Sequence, residues 1–511
     1  MATLNDRIEN KDLLAKVIPV EEAVKLVQNK CTMAISGFTK SGEPKTFLPS
    51  LSRYLSTSAS NTKIDLLSGA SISEEVEDRL APFISRRGPY MSSNVSRKLI
   101  HTGQMEFTDV HLSHFGRNMM YGFYGDIDLA VVEVSRVRPD GSVVLSSSVG
   151  ISAEALTKAK KIILEVNTGI PDYTGFHDIL VPTVHPRVCW PIPLTNVCDR
   201  VGTPYVQFDT SKVVAVVEST IPDYGVSFKA SGEIDRQIAA NVIEFLIQCR
   251  GKLNWGKRLP PIQSGVGNVA NAIVGQLYES PFTGIRFWTE VFQDGMMRYV
   301  EDNAKFDCAS ATAVSFSAKA RAEFERLFDL CRYKLVLRPM WISNSPELIS
   351  RLFVIAMNTP VEVDVYGHVN STHIDGSKVI SGLGGSGDFF RNAYISIVHT
   401  PSIRSLKDGR VVSCVMPYVR HIDHTEHDIK CIVTEQGYTV NMEIRSGKHR
   451  AEDIIEHCAH PHFRPILREY LEMAGLGDEP RPTDLKVLEK WWNEYDRLCR
   501  CFPQAQALVG A

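Results

Sequence analysis

Charge of one sign, long apolar runs and paired cysteines are all missing from this chain of 511 residues. Its 56 Lys and Arg stand against 59 Asp and Glu, a formal charge of −3. That balance argues against a nucleic-acid-binding protein, which needs a basic excess, and against an acidic solvating tail. No stretch reaches the ~20 apolar residues that span a bilayer, so no membrane association is expected. The eleven cysteines are scattered without a CxxC pair, the pattern of free thiols in a reducing compartment rather than of a disulfide framework. The N-terminus, MATLNDRIENKDLLAKVIPV, has no apolar signal core and carries acids at Asp6, Glu9 and Asp12, unlike a secretory or transit leader. These absences leave the expectation of a soluble cytoplasmic enzyme.

What is present has the character of an α/β protein, in which short β-rich runs alternate with helical patterns. Strands are expected at Ile64 to Leu67, Leu129 to Val134, Lys161 to Val166 and Val213 to Val217. Helices are expected at Glu21 to Gln28, Glu154 to Lys160 and Glu233 to Cys249, the last with Ile234, Ile238, Val242, Phe245 and Leu246 spaced by three and four. The length exceeds one core, which stops growing near ~250–300 residues. A repeat supplies the division. Ser36-Gly37 is followed, 96 positions after Gly37, by a VEV run on Glu133, and Ser264-Gly265 is followed, 97 positions after Gly265, by a VEV run on Glu362. Each VEV run leads to a Gly-x-Val, at Gly141 and Gly367, and a helical pattern follows each glycine turn, at Thr46 to Leu55 and Val269 to Leu277. The expected architecture is two related (duplicated) α/β domains, 1–225 and 226–460, with a boundary near Ser219 to Gly232 and a helical C-terminal extension over 461–511.

Three segments carry chemistry. In QSGVGNVANAIVGQL the turn Gly265-Val266-Gly267 opens a helix, where free backbone N–H groups hold phosphates or a developing oxyanion. The run also fits G-x-G-x-x-A, with an acid, Glu290, 20 residues past Ala270, so a dinucleotide-binding oxidoreductase is an alternative. Pro260 and Pro261 stand against it, because they occupy the place of the buried strand that such a fingerprint requires. In FWTEVFQDGMM, Glu290 lies in an apolar, aromatic strand pattern, where desolvation raises a carboxylate's pKa; the plain alternative is a solvent-facing or ion-paired edge position. In SGLGGSGDFFRNAY, Gly382, Gly384, Gly385 and Gly387 permit close approach of the backbone to a ligand. This run is neither a P-loop nor a nucleophile elbow, which fails at Asp388. His421, His424 and His427 in HIDHTEHD have metal-ligand residue types, but the strand-like runs around them put them in a loop, and no metal site is expected.

Together, GFTKSGEPKTFLP, QSGVGNVANA, FWTEVFQDGM, ISNSPELISRL, GLGGSGDFFRNAY, HIDHTEHDI and VTEQGY, in this order, resemble the acetyl-CoA hydrolase/transferase family, and in motifs its succinyl-CoA:acetate CoA-transferases. The resemblance runs from about Ile18 to the C-terminal helices. It implies two CoA-transferase domains, the second carrying Glu290 as the catalytic glutamate, with Val266 and Gly384 supplying oxyanion-hole N–H groups. It further implies CoA contacts from Gly265, Val266, Gly267, Asn268 and Val269, from Gly384, Gly385, Ser386 and Gly387, and from Lys407, although PSIRSLKDGR is longer than the family pattern. Ser71, Asn344 and Glu435 match residues near the acyl or carboxylate site. Ser41 and Glu43 stand where relatives often carry a small residue and an aromatic or hydrophobic one, which bears on acceptor preference.

The implied reaction moves CoA from acetyl-CoA to succinate through a glutamyl-CoA thioester. Acetyl-CoA hydrolysis through the same intermediate is the alternative. No permanently bound cofactor is implied, coenzyme A being a substrate. A homodimer is implied, and in eukaryotic relatives a mitochondrial or hydrogenosomal location.

Overall fold

The computed structural model describes residues 2–58, 61–183, 191–226, 230–374, 376–441, 446–475 and 477–503. Packing divides the chain into two compact units that are discontinuous in sequence: 1–227 with 286–352 and 379–388, and 228–285 with 353–378 and 389–511. The boundary expected near Ser219 to Gly232 includes 227–229, outside the described residues.

The first unit is built on an eight-stranded sheet of β1 (Cys31–Ile35), β2 (Ile64–Leu67), β3 (Ile84–Gly88), β4 (Glu106–Phe107), β5 (Leu129–Val137), β6 (Val143–Leu145), β7 (Lys161–Asn167) and β8 (Val213–Ser219). Seven strands run in the order β4-β3-β2-β1-β5-β7-β8, and β6 folds back antiparallel on β5. Its central members, MAI of β1, LAVV of β5 and IIL of β7, are buried on both faces, as the strands of a helix-covered parallel sheet must be. The helix Phe47–Thr57 closes one core through Phe47, Leu48, Leu51 and Leu55.

Strands in the second half of the sequence repeat this plan. The parallel series Ile262–Ser264, Ile355–Asn358, Ile395–His399 and Cys431–Thr434 has the connectivity of β1-β5-β7-β8. The parallel pair Phe306–Ala311 and Leu335–Leu337 matches β3 and β4. The VEV repeat is visible as well: just as β5 turns back into β6, Glu362–Asp364 pairs antiparallel with Val369–Asn370. Pro260 and Pro261 limit the strand before the glycine turn to three residues, Ile262–Ser264.

Backbone hydrogen bonds explain why 286–352 packs with the first 227 residues. Val149 N–H donates to the Thr312 carbonyl (2.8 Å), Val314 N–H to that of Ser147 (3.0 Å), Met340 N–H to that of Gly150 (3.0 Å) and Asp178 N–H to that of Leu337 (2.9 Å). Buried Arg338 pairs with Asp178 at the same seam, where Tyr173, Phe176, Phe324 and Phe328 form an aromatic cluster. The last three helices of the described residues are Gly447–His457, Arg464–Ala474 and Leu485–Arg500, the third capped by the Asp484 carboxylate.

Candidate active site

Glu290 does not continue a strand, as its apolar surroundings suggested. It sits at a break between Ile285–Trp288 and Val291–Gln293, where the direction of the chain changes. The break is fixed on both sides. Thr289 N–H donates to the Ser310 carbonyl (3.0 Å), and the Glu290 carbonyl accepts from the Thr312 and Ala313 N–H groups (2.9 and 3.1 Å). Buried Trp288 donates its indole N–H to the Ser343 carbonyl (2.8 Å), pinning the end of the short helix Met340–Ser343. The next residue, Asn344, is fully buried and donates from Nδ2 to Glu290 Oε1 (2.9 Å). Two residues separated by 54 positions are thereby locked together.

The glycine segment meets them in the same unit. A Cβ on Gly385 would overlap both Glu290 Oε1 and Asn344 Nδ2, so only glycine allows this backbone to lie against the carboxylate. Burial pushes the Glu290 carboxyl up to about 7; the Asn344 hydrogen bond opposes that rise and the charge of Asp388 adds to it. A carboxylate with an elevated pKa, held by one amide and faced by backbone, can act as a nucleophile or as a base near neutral pH.

The structure therefore brings Glu290, Asn344 and Gly385 together. Gly384, with φ 63°, precedes Gly385, whereas Ser386 and Gly387 open the helix Ser386–Asn392 rather than continuing a loop. Ser71 is buried in the stretch after β2, its carbonyl accepting from Lys40 N–H (3.2 Å). Glu43 is buried too, its carboxyl raised to about 8 by burial against the opposing hydrogen bond from Ser73 N–H.

The remaining sequence-derived residues belong to the second unit. Gly265 N–H donates to the Met357 carbonyl (2.9 Å), Val266 is 45% exposed, and Gly267 caps the helix Asn268–Glu279. Gly267 has no side chain to accept hydrogen bonds from the first N–H groups of that helix. Glu435 is held by Ser402, whose N–H (2.8 Å) and hydroxyl both donate to it. Lys407 is exposed at the tip of the hairpin Ile403–Ser405 and Val411–Ser413. In HIDHTEHD, Glu426 rather than a set of histidines is the meeting point: its carboxylate lies 2.9 Å from His368 Nε2 and 2.9 Å from His427 Nδ1.

Tyr90, Asp109, His111 and Ser113, with Asp388 at the end of the glycine segment itself, carry no motif that marks them as site residues. They lie against the glycine segment only because 89–113 and 382–388 pack together, and no local spacing signals that.

Comparison with known proteins gives a consistent result. Residues 1–218 match the acetyl-CoA hydrolase/transferase N-terminal domain and residues 323–471 its C-terminal domain. The chain is 42% identical to the propanoyl-CoA:succinate CoA transferase of Escherichia coli, over 89% of this chain and 93% of that one. It is 40% identical to the acetyl-CoA hydrolase of Schizosaccharomyces pombe (95% and 98%) and 38% identical to the succinyl-CoA:acetate CoA-transferase of Clostridium kluyveri (96% and 90%). Among solved structures, RipA from Yersinia pestis shares the fold, with a TM-score of 0.67 at 20% identity over 89% of this chain and 97% of that one.

Proposed function

The chain belongs to the acetyl-CoA hydrolase/transferase family, and we propose that it transfers CoA between acetyl-CoA and succinate with Glu290 as nucleophile. The observation that carries this reading is the contact set of Glu290 with the Asn344 amide and the Gly385 backbone. The Glu290 carboxylate attacks the thioester carbonyl, giving an acyl-glutamyl anhydride and CoA thiolate. The thiolate attacks the glutamyl carbonyl, the first acid leaves, and a glutamyl-CoA thioester remains. A second carboxylate takes the CoA by the reverse steps. Only an acid can become the same kind of thioester as the substrate, so the thioester bond energy is retained throughout. Each tetrahedral intermediate bears an oxyanion, and the N–H groups of Val266 and Gly384 carry over from the family as its donors, one such donor being worth about 3 kcal/mol.

The same proposal assigns CoA contacts to Gly265–Val269, Gly384–Gly387 and Lys407, and acyl or acceptor contacts to Ser71, Asn344 and Glu435. It takes coenzyme A as a substrate with no permanently bound cofactor, and the enzyme as a cytoplasmic homodimer. Among the described residues no helix is long and apolar enough to cross a membrane.

The second reading is acetyl-CoA hydrolysis, in which water resolves the glutamyl thioester; the hydrolase relative at 40% identity favours keeping it. Thiol release from acetyl-CoA, measured with and without succinate, separates the two. A strict dependence on succinate is expected, and fast release without acceptor assigns the hydrolase. Borohydride trapping after incubation with acyl-CoA, followed by mass spectrometry, is expected to find the Glu290 side chain reduced. An unmodified Glu290 peptide from active enzyme would refute the mechanism.

A further inference from the structure

The glycine segment that touches Glu290 is itself held by one short stretch of the first unit, the entry into the helix Leu112–Tyr121. Leu383 N–H donates to Asp109 Oδ1 (2.9 Å). A Cβ on Gly387 would come within 2.8 Å of His111 Nδ1. Asp388 accepts from both the N–H and the hydroxyl of Ser113 (2.9 and 2.6 Å). The contacts come from Asp109 and His111, in the coil that leads into the helix Leu112–Tyr121, and from Ser113 in the first turn of that helix, where free backbone N–H groups favour a carboxylate. Ser113 and Asp388 are almost fully buried, 1% and 3% exposed, so their hydrogen bonds do not compete with water. At the other end, Tyr90 lies against Gly384, 3.4 Å from the place of a Cβ, and a Cβ on Gly382 would overlap the Pro89 carbonyl.

We propose that Asp109–Ser113 is the positioning element of the proposed reaction, clamping 383–388 at both ends so that Gly385 lies on Glu290, with Ser113 and Asp388 as its buried anchor. The inference rests on Glu290 being the nucleophile. It adds that these residues act through the loop without touching substrate.

Asp388 has a second, separable effect. Its charge is one of the two influences that raise the Glu290 carboxyl. Asp388 is itself raised to about 6 by burial, opposed by Ser113 and by the charges of His114 and Arg117; His111 Nδ1 lies 3.8 Å from it. Asp388→Asn removes that charge outright and lowers the Glu290 pKa, whereas loss of the Ser113 hydroxyl takes away the largest influence that keeps Asp388 ionised and lowers the Glu290 pKa in part, since the Ser113 N–H, His114 and Arg117 remain. Attack requires ionised Glu290, so the acid limb of the kcat/KM profile, expected near pH 7, tracks this difference.

The test is a three-variant series on the full-length enzyme: Ser113→Ala, Asp388→Asn and the double variant. Ser113→Ala is expected to lower kcat about 10-fold or more with KM for acetyl-CoA little changed, because a small displacement of a reacting group is costly, and to move the acid limb less than Asp388→Asn does. Asp388→Asn keeps an oxygen that accepts from Ser113, and is expected to move the acid limb to lower pH. The double variant is expected to lose less than the product of the single losses, since both anchor the same bond. Thermal unfolding accompanies each variant, and one that melts at the parent temperature yet has lost kcat separates positioning from folding. Parent-like kcat in both single variants would overturn the clamp. Parent enzyme without any CoA-transfer or hydrolase activity would instead overturn the underlying assignment.

Discussion

Glu133 and Glu290 are both carboxylates withdrawn from water, and burial raises both, to about 8 and about 7. Their neighbours differ. Glu133, in β5, is ion-paired with Lys45, which also lies 2.8 Å from Asp223. Burial works against the charge of Lys45, but Asp223 and Glu133 keep it protonated and hold it above its ordinary value. Glu290 faces the neutral Asn344 amide, the Gly385 backbone and the negative charge of Asp388. A buried pair consumes its own reactivity, because moving either group exposes an uncompensated charge. A carboxylate held by one amide and by glycine backbone is fixed in place but remains available to a substrate carbonyl. The contrast separates a structural acid from a reactive one more clearly than either pKa does.

The widest gap between the two sites should come from Glu290→Gln. Steady-state assays are expected to show kcat reduced by at least about 10,000-fold, as for other lost nucleophiles, with an unchanged melting temperature. Parent-like turnover in this variant would erase the distinction. Next, Lys45→Met breaks the other site by leaving Glu133 and Asp223 buried and uncompensated; chemical denaturation should report a loss of about 3–5 kcal/mol. Gly385→Ala is expected to cost about 100-fold in kcat with little loss of stability, because its Cβ displaces the Glu290 and Asn344 side chains from their shared geometry.

The smallest effect concerns a third buried acid. Glu154 has neither an ion pair nor a hydrogen bond from another side chain among the described residues, and burial raises it to about 8. Its folded pKa lies above its unfolded one, so the native state binds the extra proton. Stability is therefore lost as pH rises from about 4.5 through 8. Glu154→Gln is expected to flatten that slope by about 1–3 kcal/mol between pH 5 and 8, read from denaturation midpoints at both pH values. An unchanged slope would mean that this site reaches water.

Much of the fold was legible because the repeat imposes local patterns twice. β2 falls on Ile64–Leu67 as expected, and the helix expected to end at Cys249 continues to Leu253 with the same apolar stripe. The glycine turns at Gly37 and Gly265 precede helices in both halves. The break at Glu290 was not legible, because apolar pairs on both sides of Thr289-Glu290 fit one continuous strand or two short ones. Only the hydrogen bonds from Thr312 and Ala313 to the Glu290 carbonyl fix the turn.

For the candidate site, residue chemistry and family resemblance singled out Glu290, Asn344 and the glycine run, but not the run that supports them. Asp388 stood out in sequence only as the residue that spoils a nucleophile elbow. Its bond to Ser113 spans 275 positions.

The sequence by itself determined the α/β class and the duplication, since these follow from periodicity and recurrence within short windows; it marked Glu290 by residue type and family resemblance and left its burial open. Tertiary structure alone decided which segments share a compact unit and which buried acid is paired: Lys45 reaches Glu133 across 88 positions, and Asn344 reaches Glu290 across 54. The physical reason is that burial and electrostatics depend on distance in space, and a chain that folds back on itself sets those distances through backbone hydrogen bonds and core packing between segments far apart in sequence.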